Sequence, residues 1–192
     1  MTYATYAATL RPQARPLGLA FDLTLVLGGS LLVALGAQFA FPSPFGPVPI
    51  TAQTLAVLLV GALLGSVRGG LSMLVYLGQG LVGFPVFAAG GAGVAYFLGP
   101  TGGYLLGFVA GATLVGWLAE QGWDRHIATT LMAMLLGNAA IFAFGLAWLG
   151  TITGTEQVLA VGLYPFLPGL VVKSVAAALL LPLGWRVLRL DS

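Results

Sequence analysis

Lys173 is the only lysine in the chain, and it interrupts an otherwise apolar stretch over residues 157–185. A cation in the middle of a membrane-spanning helix costs about 2.5–3.5 kcal/mol on insertion scales, and less towards the interface. A chain that carries this cost provides a partner for the charge, whether a protein carboxylate, water or a ligand. In a low-dielectric, protein-lined pocket a lysine pairs strongly with a carboxylate, so the chemistry on offer is anion recognition. Two other readings stand beside it. Lys173 can snorkel to the membrane surface, as lysines near helix ends do, or it can pair with Glu156, the nearest acid in sequence.

Other chemistries find few residues to carry them. Cysteine is absent, and the single histidine, His126, lies between Arg125 and an apolar run with no second ligand at metal spacing. No Ser/His/Asp or H-E-x-x-H arrangement can be assembled, so the sequence predicts no catalytic residues, no metal site and no cofactor. A G-x-x-x-x-G-K-[ST] loop is also missing, which removes an ATPase. Coupled transporters usually keep an intramembrane acid; here the apolar runs hold none, and Asp22 sits where the first begins. No basic cluster is dense enough to suggest nucleic acid.

The elements that must position Lys173 follow from the composition. At 59% hydrophobic and 6% charged, with a mean hydropathy of +1.02, the chain falls in the membrane class. The uncharged runs 23–67 and 69–119 are each more than twice the roughly 20 residues a spanning helix needs, so each must hold two helices and a turn. One turn is the proline-rich 41–49, which no helix interior tolerates; the other is the glycine-rich 83–100. A fifth helix is expected over about 127–149, and a sixth over about 168–188 after a break at 150–157. The expected fold class is therefore an all-α membrane protein with six transmembrane helices. An N-terminal signal peptide fits less well, because the apolar run reaches Phe41 and more apolar sequence follows.

With six spans, every arginine (Arg11, Arg15, Arg68, Arg125, Arg186 and Arg189) falls on one side, and the loops opposite hold no basic residue. The positive-inside rule then predicts both termini in the cytoplasm. Residues 1–16 read as a cytoplasmic segment, 17–188 as one six-helix substrate-binding domain, and 189–192 as a cytoplasmic tail. Lys173 lies near the outer end of the sixth helix, on the side of the two long loops. Phe41, Phe45, Phe84, Phe87, Tyr96 and Phe97 in those loops suit either interfacial anchors or an apolar lid over a small ligand. Glycines at 61, 65 and 69 and at 99, 103, 107 and 111 predict close helix packing. Ser30 and Ala34 make a similar small-residue face on the first helix, open to an external partner.

Four stretches resemble one family. They are Gly46-Pro-Val-Pro-Ile-Thr-Ala-Gln-Thr-Leu55, then Arg68-Gly-Gly with Tyr76-Leu and Gly83-Phe-Pro-Val-Phe87, then Leu98-Gly-Pro-Thr-Gly-Gly-Tyr-Leu-Leu-Gly-Phe108, and Pro165-Phe-Leu-Pro-Gly169 followed by Lys173. Over roughly 17–188 the chain is similar to the BioY family, the biotin-binding substrate (S) components of energy-coupling factor transporters. The resemblance implies a six-helix S-component fold in the plasma membrane of a prokaryote. Biotin would be held near the outer face, and the partners would be a transmembrane T component and two ATP-binding-cassette ATPases. Lipid surrounds the domain, and no enzymatic activity is implied.

Carried over residue by residue, with the polar groups available, the ligand-binding set is Lys173, Gln53, Thr51, Phe87, Gly91, Thr101, Tyr104 and Asn138. Ser30 and Ala34 match the face that meets the T component. One departure stands out: the family pattern P-G-D-x-x-K is here Pro168-Gly-Leu-Val-Val-Lys173, with Leu170 in place of the acid. Two rival functions stay open. One is a self-sufficient channel or facilitator for a small carboxylate with Lys173 as its selectivity charge. The other is a structural membrane subunit in which Lys173 pairs with Glu156.

Overall fold

The computed structural model describes residues 3–188; Arg189 and the tail 189–192 named above lie outside them, as do residues 1 and 2. A short turn of helix, α1 (Tyr6–Thr9), precedes α2 (Arg15–Gln38). A two-residue antiparallel ribbon pairs Ala40–Phe41 with Ile50–Thr51 and closes the base of the proline-rich loop. Then follow α3 (Gln53–Leu64), α4 (Ser66–Leu81), a short loop helix α5 (Gly93–Phe97), α6 (Gly102–Glu120), α7 (Ile127–Thr153), another short helix α8 (Val158–Gly162) and α9 (Leu167–Leu188).

Of these, Arg15–Gln38, Gly102–Glu120, Ile127–Thr153 and the stretch Val158–Val187 are long and apolar enough to cross a membrane. That is four, where the uncharged runs suggest six. The difference lies at α3 and α4. Gly65 adopts φ +89°, a left-handed conformation that disfavours any side chain. It breaks the continuous apolar sequence into a 12-residue and a 16-residue helix. At 1.5 Å per residue, α3 is only about 18 Å long. Its core residues Val57, Leu58, Val60 and Ala62 are buried, so α3 is enclosed by its neighbours rather than solvated by lipid along its length.

The outward faces are apolar, as a bilayer requires. On α2, Leu27, Leu31 and Leu35 are all at least half exposed, a stripe repeating every fourth residue that suits lipid contact. The inward faces are small. A side chain at Gly107 would come within 2.7 Å of the Ile141 carbonyl, so α6 and α7 approach at backbone distance, as the glycine spacing predicts. Ser30 and Ala34 belong to this interior as well: Ser30 is fully buried with its hydroxyl donating to the Leu27 carbonyl, and Ala34 is 8% exposed. The adjacent Gly29 lies against Ser72 of α4 and Val60 of α3. Ser30 and Ala34, expected from sequence to meet the T component, thus lie in the packing of this chain. Within this chain the small residues of α2 serve contact with α3 and α4.

The bundle has two chemically different ends. At one, Asp22 accepts from Arg11 at 2.9 Å and from Arg68 at 2.7 Å, while Glu120 accepts from the Ser66 amide at 2.8 Å and caps the start of α4. Trp185 donates to Asp124 at 2.7 Å on the same side. The length of α3 separates this charged end from the end that holds Lys173.

Candidate ligand-binding site

Lys173 lies two turns into α9, a helix that begins at Leu167 with Pro168 in its first turn, where a missing N–H does no harm. The side chain is half-buried and reaches across to the entry of α3, where its ammonium donates to the Thr51 carbonyl and, at 3.1 Å, to the Thr54 hydroxyl. Both acceptors are neutral. Among the described residues the ion pairs are Arg11–Asp22 and Arg68–Asp22, and Glu156 is exposed. The Glu156 partnership weighed from sequence is therefore not formed.

Lys173 opens onto a narrow cleft. Four residues expected from sequence converge there: Lys173, Thr51, Tyr104 and Asn138. Thr51 arrives on the second ribbon strand. Tyr104 stands on α6 and donates to the Gly162 carbonyl at 2.7 Å, which ties α6 to the end of α8. Asn138 projects from α7, donating to its own helix at Met134 (2.9 Å) and more weakly to Ser174 of α9 (3.4 Å). The rest of the wall is apolar: Val48, Phe108, Phe142, Phe166 and Leu170. Tyr104, Phe142 and Phe166 form a ring cluster with centroids 5.8–6.4 Å apart, a rigid surface of large area.

The other four expected residues lie elsewhere. Gln53 is buried beside the cleft, holding Tyr76 through a 2.7 Å hydrogen bond and touching the Thr51 hydroxyl, so it braces Thr51 from behind. Phe87 is fully buried, stacked on Tyr96 at 5.2 Å and edge-on to Tyr76. Gly91 lies under the same tyrosine: a side chain there would collide with the Tyr96 ring. Burial pushes the Tyr96 hydroxyl pKa up, and contacts with Thr101 and Ala88 pull it partly back. Thr101 lines a separate cleft together with Ser43 and Tyr96; Pro49 lines both clefts. Of the loop aromatics, Phe41, Phe45 and Phe84 are at least 60% exposed, which suits interfacial anchors, while Phe87 and Tyr96 pack the loop.

The sequence reading missed Thr54, Phe108 and Phe142 as wall residues. A signal for them existed. Phe108 follows Tyr104 by four residues and Phe142 follows Asn138 by four, the spacing that puts two side chains on one helix face. A polar candidate on a helix therefore nominates its neighbour one turn along.

A cleft of this kind, with one unneutralised ammonium, a few neutral donors and aromatic walls, suits a small molecule bearing a carboxylate and an apolar body. The family comparison bears directly on this. The BioY family model matches residues 8–190. This chain belongs to the BioY family. A biotin transporter BioY of Rhizobium etli is 39% identical over 168 residues, covering 83% of this chain and 90% of the relative. Biotin transporter BioY2 of Lactococcus lactis subsp. cremoris is 34% identical, covering 88% and 91%. Among solved structures, a crystal structure of the S-component for biotin from an ECF-type ABC transporter matches with a TM-score of 0.71 at 26% identity, over 91% of this chain and 93% of the other. Membership places the protein among membrane transport components and outside the enzymes.

Proposed function

We propose that this protein captures biotin at the outer face of a prokaryotic plasma membrane and passes it to an ATP-driven uptake assembly. The observation that carries the reading is the Lys173 ammonium, held in the cleft by neutral oxygens alone, in a chain whose relatives are named biotin transporters. Biotin has one carboxylate for that ammonium, an aliphatic chain and thioether ring for Phe108, Phe142 and Phe166, and a ureido group for Tyr104, Asn138 and Thr54. Gln53 acts through Thr51. Phe87, Gly91 and Thr101 shape the outer loops rather than touch the ligand.

The ECF-type ABC transporter named for the structural neighbour supports partnership with a T component and two ATPases. The arginine distribution supports both termini in the cytoplasm, with α2, α3, α4, α6, α7 and α9 all traversing the membrane-embedded domain 17–188 and residues 1–16 and 189–192 flanking it on the inner side.

Calorimetric titration of the purified protein with biotin and with biotin amide tests the charge pairing, because the amide removes the carboxylate charge and little else. The amide is expected to bind at least tenfold more weakly; equal affinities would overturn the assignment to Lys173. Vesicles holding this protein alone are expected to show no ATP-dependent biotin accumulation. Strong uptake without partners would favour a stand-alone facilitator.

A further inference from the structure

At the end of the bundle opposite Lys173 lies a second concave site that transport of a small carboxylate does not require. It sits where α6 turns into α7 and is lined by Tyr3, Trp123, Arg125, His126, Thr129 and Arg186. Two arginines and an imidazole converge on it, and among the described residues no carboxylate lines it. Neither Arg125 nor Arg186 makes an ion pair among the described residues. Arg125 is already oriented: its guanidinium lies 4.8 Å from the Tyr3 ring and 4.4 Å from the Trp185 ring, with one nitrogen donating to the Ala4 carbonyl at 3.4 Å. Its Nε is buried and has no hydrogen-bond partner. Asp124, next in sequence, accepts from Trp185, the ring on which the Arg125 guanidinium lies.

The backbone adds to this field. His126, which lines the site, is also the N-cap of the 27-residue α7, so the positive end of that helix's dipole lies beside it. Thr129 and Thr130 spend their hydroxyls on the Trp123 and His126 carbonyls, and the guanidinium groups are the charged donors of the site. Guanidinium groups and helix amides together recognise a tetrahedral oxyanion bearing several acceptor oxygens. Next in sequence to His126 and Arg186 are the exposed apolar residues Ile127 at 53% and Val187 at 72%, which suit acyl chains.

We propose that Arg125, Arg186 and His126 form a binding site for the phosphate of an anionic phospholipid headgroup at the cytoplasmic surface. The lipid would brace α9 against the α6–α7 turn, at the far end of the helix that carries Lys173. The site rests on its own residues and stands or falls separately from the biotin assignment.

The test uses the full-length protein in detergent, read by native mass spectrometry for bound lipid and by thermal unfolding. The probes are short-chain phosphatidylglycerol, short-chain phosphatidylcholine and inorganic phosphate, applied to the wild type, Arg186→Gln and Arg125→Gln. Phosphatidylglycerol is expected to bind and raise the melting temperature of the wild type. Arg186→Gln, an exposed position, should weaken that binding at least fivefold while leaving the lipid-free melting temperature and biotin titration unchanged. Three outcomes would overturn the proposal: equal binding by wild type and Arg186→Gln, equal binding of the zwitterionic lipid, or saturation by inorganic phosphate at the concentrations that suffice for the lipid. Arg125→Gln checks the buried donor; lipid binding retained at full strength in a folded variant would count against the site.

Discussion

The Asp22 cluster at one end of the bundle and the Lys173 cleft at the other treat charge in opposite ways. At the arginine end, Asp22 is shared between Arg11 and Arg68, and Glu120 is spent on the start of α4. Asp22 offsets the charge of the arginines it bridges, and these contacts fix α2, α4 and α6. At the other end a single ammonium is held by a carbonyl and a hydroxyl, which orient it without cancelling it. A buried charge given neutral dipoles alone retains a demand for a counter-ion. The contrast teaches that the number of partners is a poor guide to function; their formal charge separates a structural cation from one kept for a ligand.

The largest expected effect comes from removing the uncancelled charge. Lys173→Ala should weaken biotin binding by about 100-fold, because truncating one member of a desolvated charge pair costs about 2–5 kcal/mol and leaves the other charge unpaired. Helical content should stay the same, since α9 gains a better helix former. Titration calorimetry with circular dichroism reads both, and unchanged affinity would erase the distinction between the ends. Next in size is Phe142→Ala on the cleft wall. It removes one ring of the aromatic cluster and should weaken biotin by roughly tenfold, in line with the 1.5–3 kcal/mol attached to a buried large side chain, discounted for partial refilling by Phe166. A loss in stability without any loss in affinity would place Phe142 in the core alone.

The converse variant belongs to the other end. Asp22→Asn leaves Arg11 and Arg68 without their shared acceptor charge, so the melting temperature should fall by a few degrees while biotin affinity stays within twofold. A marked loss of affinity would mean that the two ends are coupled through α3 and α4.

Much of this contrast was legible before any coordinates, for physical reasons that differ by residue. Lys173 stands out because a lysine in an apolar run carries a cost that demands explanation, and Tyr104 and Asn138 because polar groups on apolar helices are few. The starts of α7 and α9 follow from the charge cluster and Pro168 near them, whereas α7 runs on to Thr153, past the break expected at residue 150. What stayed hidden depends on tertiary contact. The Thr51 carbonyl belongs to the backbone and carries no side-chain signature; only the ribbon that folds back after the proline-rich loop delivers it to Lys173. Ser30 and Ala34 advertise a close contact, but a small-residue face reads the same whether its partner is another chain or, as here, the interior formed by α3 and α4. The uncharged run through Gly65 measures how long the sequence avoids charge, and a left-handed glycine within it sets where the helices end.

The smallest expected effect is the most discriminating. Leu170 lines the cleft one turn before Lys173 on α9, at the position where the resemblance leads one to expect an acid. Leu170→Asp places a carboxylate three residues from the lysine, close enough on the same helix face to pair with it. Two effects then oppose each other. The new acceptor can serve the ureido N–H groups of biotin, which tightens binding, or it can neutralise Lys173 and compete with the valerate carboxylate, which weakens it. The three-residue spacing turns both side chains towards the cleft without fixing them in contact, and Lys173 already has the Thr51 carbonyl and the Thr54 hydroxyl to hold it. The expected outcome is therefore an affinity equal to the wild type or up to a few-fold tighter, with the preference for biotin over biotin amide retained. A loss beyond tenfold, together with loss of that preference, would show that the cleft works because Lys173 has no acid within reach.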